Sequence, residues 1–174
     1  MALSKAQMRR LFERLNDELA AQDESGELYL VGGAVMCLVF DARPSTRDLD
    51  GFFRPVRVVR EAAFRVATDL GVENDWLNDA VKGYLSASGD FDDFLELSNL
   101  RVLTATPEYL LAMKCLAMRL GEEFHDEDDV RFLLRYLNVE RYDAAVEIVT
   151  RYYPLERIPQ KTLYALEEIL APRA

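Results

Sequence analysis

The pair Gly32-Gly33 stands between a short apolar run, Leu28 to Val31, and a longer one, Ala34 to Phe40. A short apolar run closed by glycine predicts a strand, and the longer stretch predicts a buried helix. A strand that turns on two glycines into a buried helix cannot stand alone: the helix needs a sheet to lie against, and the strand needs a neighbour. The nearest candidate neighbour is Leu49 to Phe53, too short for a helix and rich in aromatic residues, reached through the loop Arg43-Pro44-Ser45-Thr46. The expected fold class is mixed α/β, or α+β.

The rest of the chain fits around that unit. Ser4 with Gln7 reads as a capping box, and Met8, Leu11, Phe12, Leu15 and Leu19 recur at helical steps up to the break at Glu24-Ser25-Gly26. Val58 to Leu70 is helical in period, with Gly71 as its stop. Phe94 to Leu97 and Arg101 to Ala105, joined at Ser98-Asn99, predict two further strands and hence a small mixed sheet of four. From Thr106, a cap followed by Pro107, the pattern is helical over 107–120, 126–137, 140–152 and 160–170. Glu73 to Asp93, which holds the sole tryptophan, Trp76, shows no dominant period. At 174 residues the expectation is a single domain, with a mixed α/β core over 1–105 and a helical layer over 106–174.

Charge limits what such a domain can bind. With 21 basic and 31 acidic residues the net charge is −10, so the chain repels polyanions in bulk, and any nucleic-acid contact needs a local basic patch or metal ions. Arginines 43, 47, 54, 57, 60 and 65 could form such a patch, or a mixed solvated surface with the acids among them. Cys37 and Cys115 lie in apolar runs and, with the single His125, cannot supply a four-ligand zinc site. There is no 18-residue apolar stretch and no signal-like N-terminus, so the expected location is the cytoplasm, with no membrane partner.

Chemistry concentrates at Asp48-Leu49-Asp50. Two residues apart in a predicted strand, the two carboxylates project from one face with Cα atoms about 6–7 Å apart. Two ionised carboxylates at ~4 Å repel by about 4 kcal/mol at an effective dielectric of 20, so acids oriented together normally share a cation. Magnesium, a hard ion that divides its coordination between carboxylates and substrate phosphates, is the natural one. The alternative is a pair of solvated acids on an edge strand. The glycine pair shifts that balance, because backbone N–H groups without a Cβ let a phosphate come close.

Val31-Gly32-Gly33-Ala34 followed by Ser45-Thr46-Arg47-Asp48-Leu49-Asp50 resembles the signature of nucleotidyltransferases of the DNA polymerase β superfamily. The resemblance implies that Gly32 and Gly33 hold the β- and γ-phosphates of an NTP, that Asp48 and Asp50 bind Mg2+, and that Ser45 or Thr46 lies beside the triphosphate. Val35-Met36 departs from the Arg-Asp of tRNA-CCA-adding enzymes. Thr106 to Lys114, then Arg119, then Asp126 to Val130 is similar to the C-terminal motifs of AbiEii-type toxins of abortive-infection and toxin–antitoxin systems, and to short bacterial nucleotidyltransferase-like proteins of unassigned function. That similarity implies a triphosphate contact for Lys114, an active-site role for Asp126 or Asp129, and possible pairing with an antitoxin.

Lys114 also stands out by itself. In the otherwise apolar helix Leu110 to Leu120 it must snorkel to water, find a carboxylate or serve an anionic ligand. The acids Asp126 and Asp129 can equally cap the next helix. His125 could be a general base or simply precede that cap. Many superfamily members carry a third carboxylate on a neighbouring strand, for which Glu96 is the first candidate here and Asp79 the second. The expected function is magnesium-dependent transfer of an NMP from an NTP to an acceptor, whether RNA such as tRNA, protein or a small molecule. The alternative is a catalytically inactive binding module of the same fold.

Overall fold

The computed structural model describes residues 2–121 and 124–172. Its elements in chain order begin with strand β1 (Leu3–Ser4) and helix α1 (Lys5–Ala21), then β2 (Gly26–Leu30), α2 (Gly32–Leu38), β3 (Ser45–Thr46), β4 (Leu49–Arg54), α3 (Val56–Leu70), β5 (Leu77–Asn78), β6 (Phe91–Glu96) and β7 (Leu100–Ala105). Four helices follow: α4 (Pro107–Ala117), α5 (Asp126–Tyr136), α6 (Tyr142–Thr150) and α7 (Gln160–Ile169). The fold is mixed α/β, as expected. The chain divides into two units, one of Met1–Gly83 with Phe91–Ala105, the other of Tyr84–Asp90 with Thr106–Ala174.

The first unit is built on a five-stranded sheet of order β5-β4-β2-β7-β6 and a two-stranded ribbon of β1 and β3. β2 pairs antiparallel with β4 and parallel with β7, so both neighbours of the central strand are supplied by later segments. Leu28, Leu30, Leu49, Phe53 and Val102 form one buried face. It lies under α1 and α3, whose buried residues are Met8, Leu11, Phe12, Leu15 and Leu19, and Val59, Ala62, Ala63, Val66 and Ala67. A Cβ on Gly26, on that same face, would meet Val59 at 2.8 Å and Leu19 at 3.2 Å. The capping box at Ser4 forms as the sequence implies: Ser4 Oγ accepts from Gln7 N at 3.3 Å and Gln7 Oε1 from Ser4 N at 2.8 Å. Gly71 closes α3 at φ 64°.

Two differences from the sequence reading have local causes. β6 runs Phe91–Glu96 instead of Phe94–Leu97, because a bulge between Asp93 and Leu95 breaks the alternation that would have marked it. The main sheet also gains a fifth strand, the two-residue β5, from the segment without a readable period. Trp76, just before β5, is buried with Nε1 donating to the Ala63 carbonyl at 3.0 Å.

The second unit packs α4 against α5 and α6 around Tyr109, Leu110, Leu111, Val130, Leu133, Ala145 and Val149. Thr106 caps α4, its Oγ1 accepting from Tyr109 N at 3.4 Å, with Pro107 in the first turn. α4 ends at Ala117, not Leu120, since Met118 is extended at ψ 124°. The strand of chain from Tyr84 to Asp90 is stitched to this unit by tyrosines: Tyr109 Oη accepts from Ser86 N at 2.9 Å, Tyr153 Oη donates to the Tyr84 carbonyl and Ser86 Oγ to that of Tyr152. Among the described residues no helix is long and apolar enough to cross a membrane.

Candidate functional site

β2 delivers the chain to Gly32, and β4 delivers Asp50 beside it; the two are locked together by Val31 N donating to the Asp50 carbonyl at 2.9 Å. Gly32 holds φ at 65°, a left-handed conformation that suits glycine, and a Cβ there would stand 3.3 Å from Asp50 Oδ2. Gly33 is tighter still: its Cβ would be 2.7 Å from Thr46 Oγ1 and 3.1 Å from Arg43 Nη1. The absence of two side chains therefore brings a carboxylate, a hydroxyl and a guanidinium around one turn of backbone. Thr46 Oγ1 donates to the Asp48 carbonyl at 3.3 Å. Ser45 lies one residue upstream, paired with Ser4 in the β1–β3 ribbon.

Asp48 directly precedes β4 and Asp50 lies within it. Burial raises the Asp48 carboxyl above its usual range, and the Asp50 charge raises it further, while Arg47 and an amide hydrogen bond from Asn78 oppose the shift. Asp48 thus feels the charge of Asp50, although it lies just outside the strand that the sequence assigned to both. Asn78 stands in register with Asp50 on β5, and its Nδ2 donates to Asp48 Oδ2 at 3.0 Å.

The expectation that Glu96 supplies a third carboxylate is corrected by the register. Glu96 aligns with Arg101, Glu27 and Arg54. That row is four residues from Asp50, about 13 Å along the strands, and β6 is three strand spacings, about 14 Å, across from β4. Asp79 follows Asn78, but its carboxylate is engaged by Lys82 at 2.5 Å and Arg60 at 2.7 Å, and the Lys82 hydrogen bond holds it below the ordinary carboxylate range. Among the described residues no group of three His, Cys, Asp or Glu side chains is arranged to hold a metal. What faces the pair from the neighbouring strand is the neutral amide of Asn78.

The other sequence-designated residues gather in the second unit. Lys114 Nζ lies 2.7 Å from Asp129 Oδ2 and 3.5 Å from Asp126 Oδ1, with all three side chains largely buried. Of the outcomes open to a lysine in an apolar arc, this one has found carboxylates. Asp126 is the first residue of α5 rather than its cap, and its Oδ2 accepts from Arg119 N at 3.1 Å and Nε at 2.8 Å. Burial alone would raise its carboxyl; Arg119 and Lys114 outweigh that and hold it below the usual range. His125 occupies the cap position without a side-chain cap bond. Glu122 and Glu123 of the acidic run lie outside the described residues.

Sequence reasoning missed Arg43 and Asn78 as members of the site. Arg43 was visible only as one of several loop arginines, and Asn78 lies in the segment with no period, on a strand too short to register. No family model, curated protein or solved structure matches the chain.

Asp48 and Asp50, two residues apart, are hard oxygen donors, the chemistry that a magnesium ion takes when it completes its shell with water and phosphate.

Proposed function

We propose that the chain is a magnesium-dependent nucleotidyltransferase of the DNA polymerase β superfamily. The reading rests on one observation: the turn at Gly32 and Gly33 lies against the Asp50 carboxylate, the Thr46 hydroxyl and the Arg43 guanidinium, with Asp50 one of the two acids of Asp48-Leu49-Asp50. Asp48 and Asp50 would hold the ion. Gly32 and Gly33 admit the β- and γ-phosphates, with Thr46 and the Arg43 guanidinium beside them. Bound magnesium would neutralise charge on the phosphates as it builds up in the transition state. An acceptor hydroxyl attacks the α-phosphorus, the bond to the bridging oxygen breaks, pyrophosphate leaves, and the acceptor proton passes to solvent. The acceptor is RNA such as tRNA, a protein or a small molecule, and the C-terminal resemblance to AbiEii-type toxins supports a place in a toxin–antitoxin or abortive-infection system. NTP supply and two buried, reduced thiols, Cys37 and Cys115, are in keeping with a cytoplasmic location.

A second reading has its own support. The residue that faces Asp48 and Asp50 from the neighbouring strand is the neutral amide of Asn78 and not a third carboxylate, which favours a module that binds nucleotide without transferring it. The deciding experiment incubates the protein with each labelled NTP, magnesium and cellular RNA or protein, and separates the products. Label in a macromolecule, lost in Asp50→Asn, supports transfer. Nucleotide binding without any labelled product supports the module.

A further inference from the structure

The sheet face opposite α1 and α3 carries Asp50 and, two residues along β4, Phe52. Phe52 stacks on Tyr29 of β2 with ring centroids 4.4 Å apart and planes inclined by 5°. Phe91 of β6 stands edge-on to both rings, at 5.2 Å and 5.6 Å. The Arg54 guanidinium lies 5.6 Å from the Tyr29 centroid and 5.5 Å from that of Phe52. All three rings stay half-buried despite this mutual contact, so the cluster keeps aromatic surface at the protein's exterior. β5 pairs only with Leu49 and Asp50, so on that side no strand of the sheet covers β4 at Phe52.

Such a surface is placed for one occupant. Phe52 is about 7 Å along the strand from Asp50, a span that a ribose bridges. A nucleotide with its phosphates at the glycine turn has its base at that remove from the metal-binding carboxylates. Every base has a π-face that stacks on an aromatic ring, and a guanidinium at the margin offers planar donors to base acceptors.

We infer that Tyr29, Phe52 and Phe91, bordered by Arg54, form the nucleobase platform of the site, with purines favoured over pyrimidines for their larger stacking area. The inference rests on the nucleotide reading above and goes beyond it by assigning base recognition to the sheet face.

The test is calorimetric titration with magnesium and each of ATP, GTP, CTP, UTP and inorganic tripolyphosphate, the last presenting phosphates without a base. Against wild type, Phe52→Leu is expected to weaken purine nucleotides by about tenfold or more relative to tripolyphosphate, and Phe52→Trp, which keeps a stacking ring, to retain the preference. Asp50→Asn is expected to weaken nucleotides and tripolyphosphate together. If Phe52→Leu, still folded by circular dichroism, leaves the ratio of nucleotide to tripolyphosphate affinity unchanged, or if Phe52→Leu misfolds and a folded Phe52→Trp loses the preference while still binding tripolyphosphate, the platform is overturned while the phosphate site stands. If wild type binds neither nucleotide nor tripolyphosphate, the nucleotide reading fails and the platform with it.

Discussion

Gly32 is where backbone conformation and site chemistry meet in one residue. Its φ of 65° costs an L side chain about 1–2 kcal/mol, and the Cβ would press on Asp50 Oδ2 at 3.3 Å. Gly32→Ala is therefore expected to lower stability by about 1–2 kcal/mol in a urea titration and, at concentrations where the protein is folded, to weaken magnesium-dependent nucleotide binding. Stability and binding both equal to wild type would mean that the turn tolerates a side chain and is no phosphate cradle. Gly51 shows the same closeness without any functional content: a Cβ there would collide with the Tyr29 carbonyl across the β2–β4 pair. A glycine needed for strand contact and one needed for a site look alike in a sequence. They separate only when the neighbours are known.

At the level of elements, β5 is two residues long and yet fixes the composition of the site, because it sets Asn78 opposite Asp50. Asn78→Asp replaces the amide that donates to Asp48 with a third acid. Without magnesium this variant is expected to be destabilised by about 2 kcal/mol, from the lost hydrogen bond and the added repulsion. With magnesium it should recover, and its magnesium affinity should rise about tenfold or more, read by titration calorimetry. No gain in affinity would place Asn78 away from the ion. The elements of the site differ in how readable they were. β2, α2 and β4 were legible because apolar runs and glycines set strand and helix locally, and α4 to α7 because helical period and capping residues are local too. β6 was displaced by its bulge, and β5 was invisible, since a two-residue strand exists only through pairing with β4. The choice of Glu96 failed for a related reason: strand order places it three strands from Asp50, and order is a property of the sheet, not of any segment. Between α4 and α5, Lys114 bridges Asp129 and Asp126. Lys114→Met leaves two buried carboxylates short of a cation, with Arg119 still on Asp126, and is expected to cost about 3 kcal/mol. The pH dependence follows from Asp126. Its carboxyl is held below its unfolded value, so the stabilisation is present above that value and is lost as pH falls through the folded one. Removing Lys114 raises the folded value toward the unfolded one, so in urea titrations between pH 3 and 7 the variant should lose less stability on acidification than wild type and finish losing it at a higher pH. Coincident profiles would mean that Lys114 contributes nothing to holding Asp126 ionised.

The whole molecule carries a charge of −10, which bears on how a magnesium effect is to be read. Any salt stabilises such a chain by screening its self-repulsion, so a rise in melting temperature on adding magnesium chloride is not by itself evidence of a site. Specific binding adds RT ln(1 + [L]/Kd), about 2.7 kcal/mol when magnesium is at 100 times its Kd, whereas screening depends on ionic strength and not on where the ion sits. The two separate in a melt at constant ionic strength, with magnesium exchanged for sodium. Wild type is expected to melt higher with magnesium, by about 2–4 °C for each kcal/mol of linkage at this size. Asp48→Asn and Asp50→Asn each remove a ligand and one charge of the repelling pair. Both are expected to melt at or above the wild-type temperature in sodium and to lose the increment in magnesium. An increment that persists undiminished in both variants would assign the ion to the general acidic surface, and Asp48 and Asp50 would then be solvated strand acids beside a tight turn.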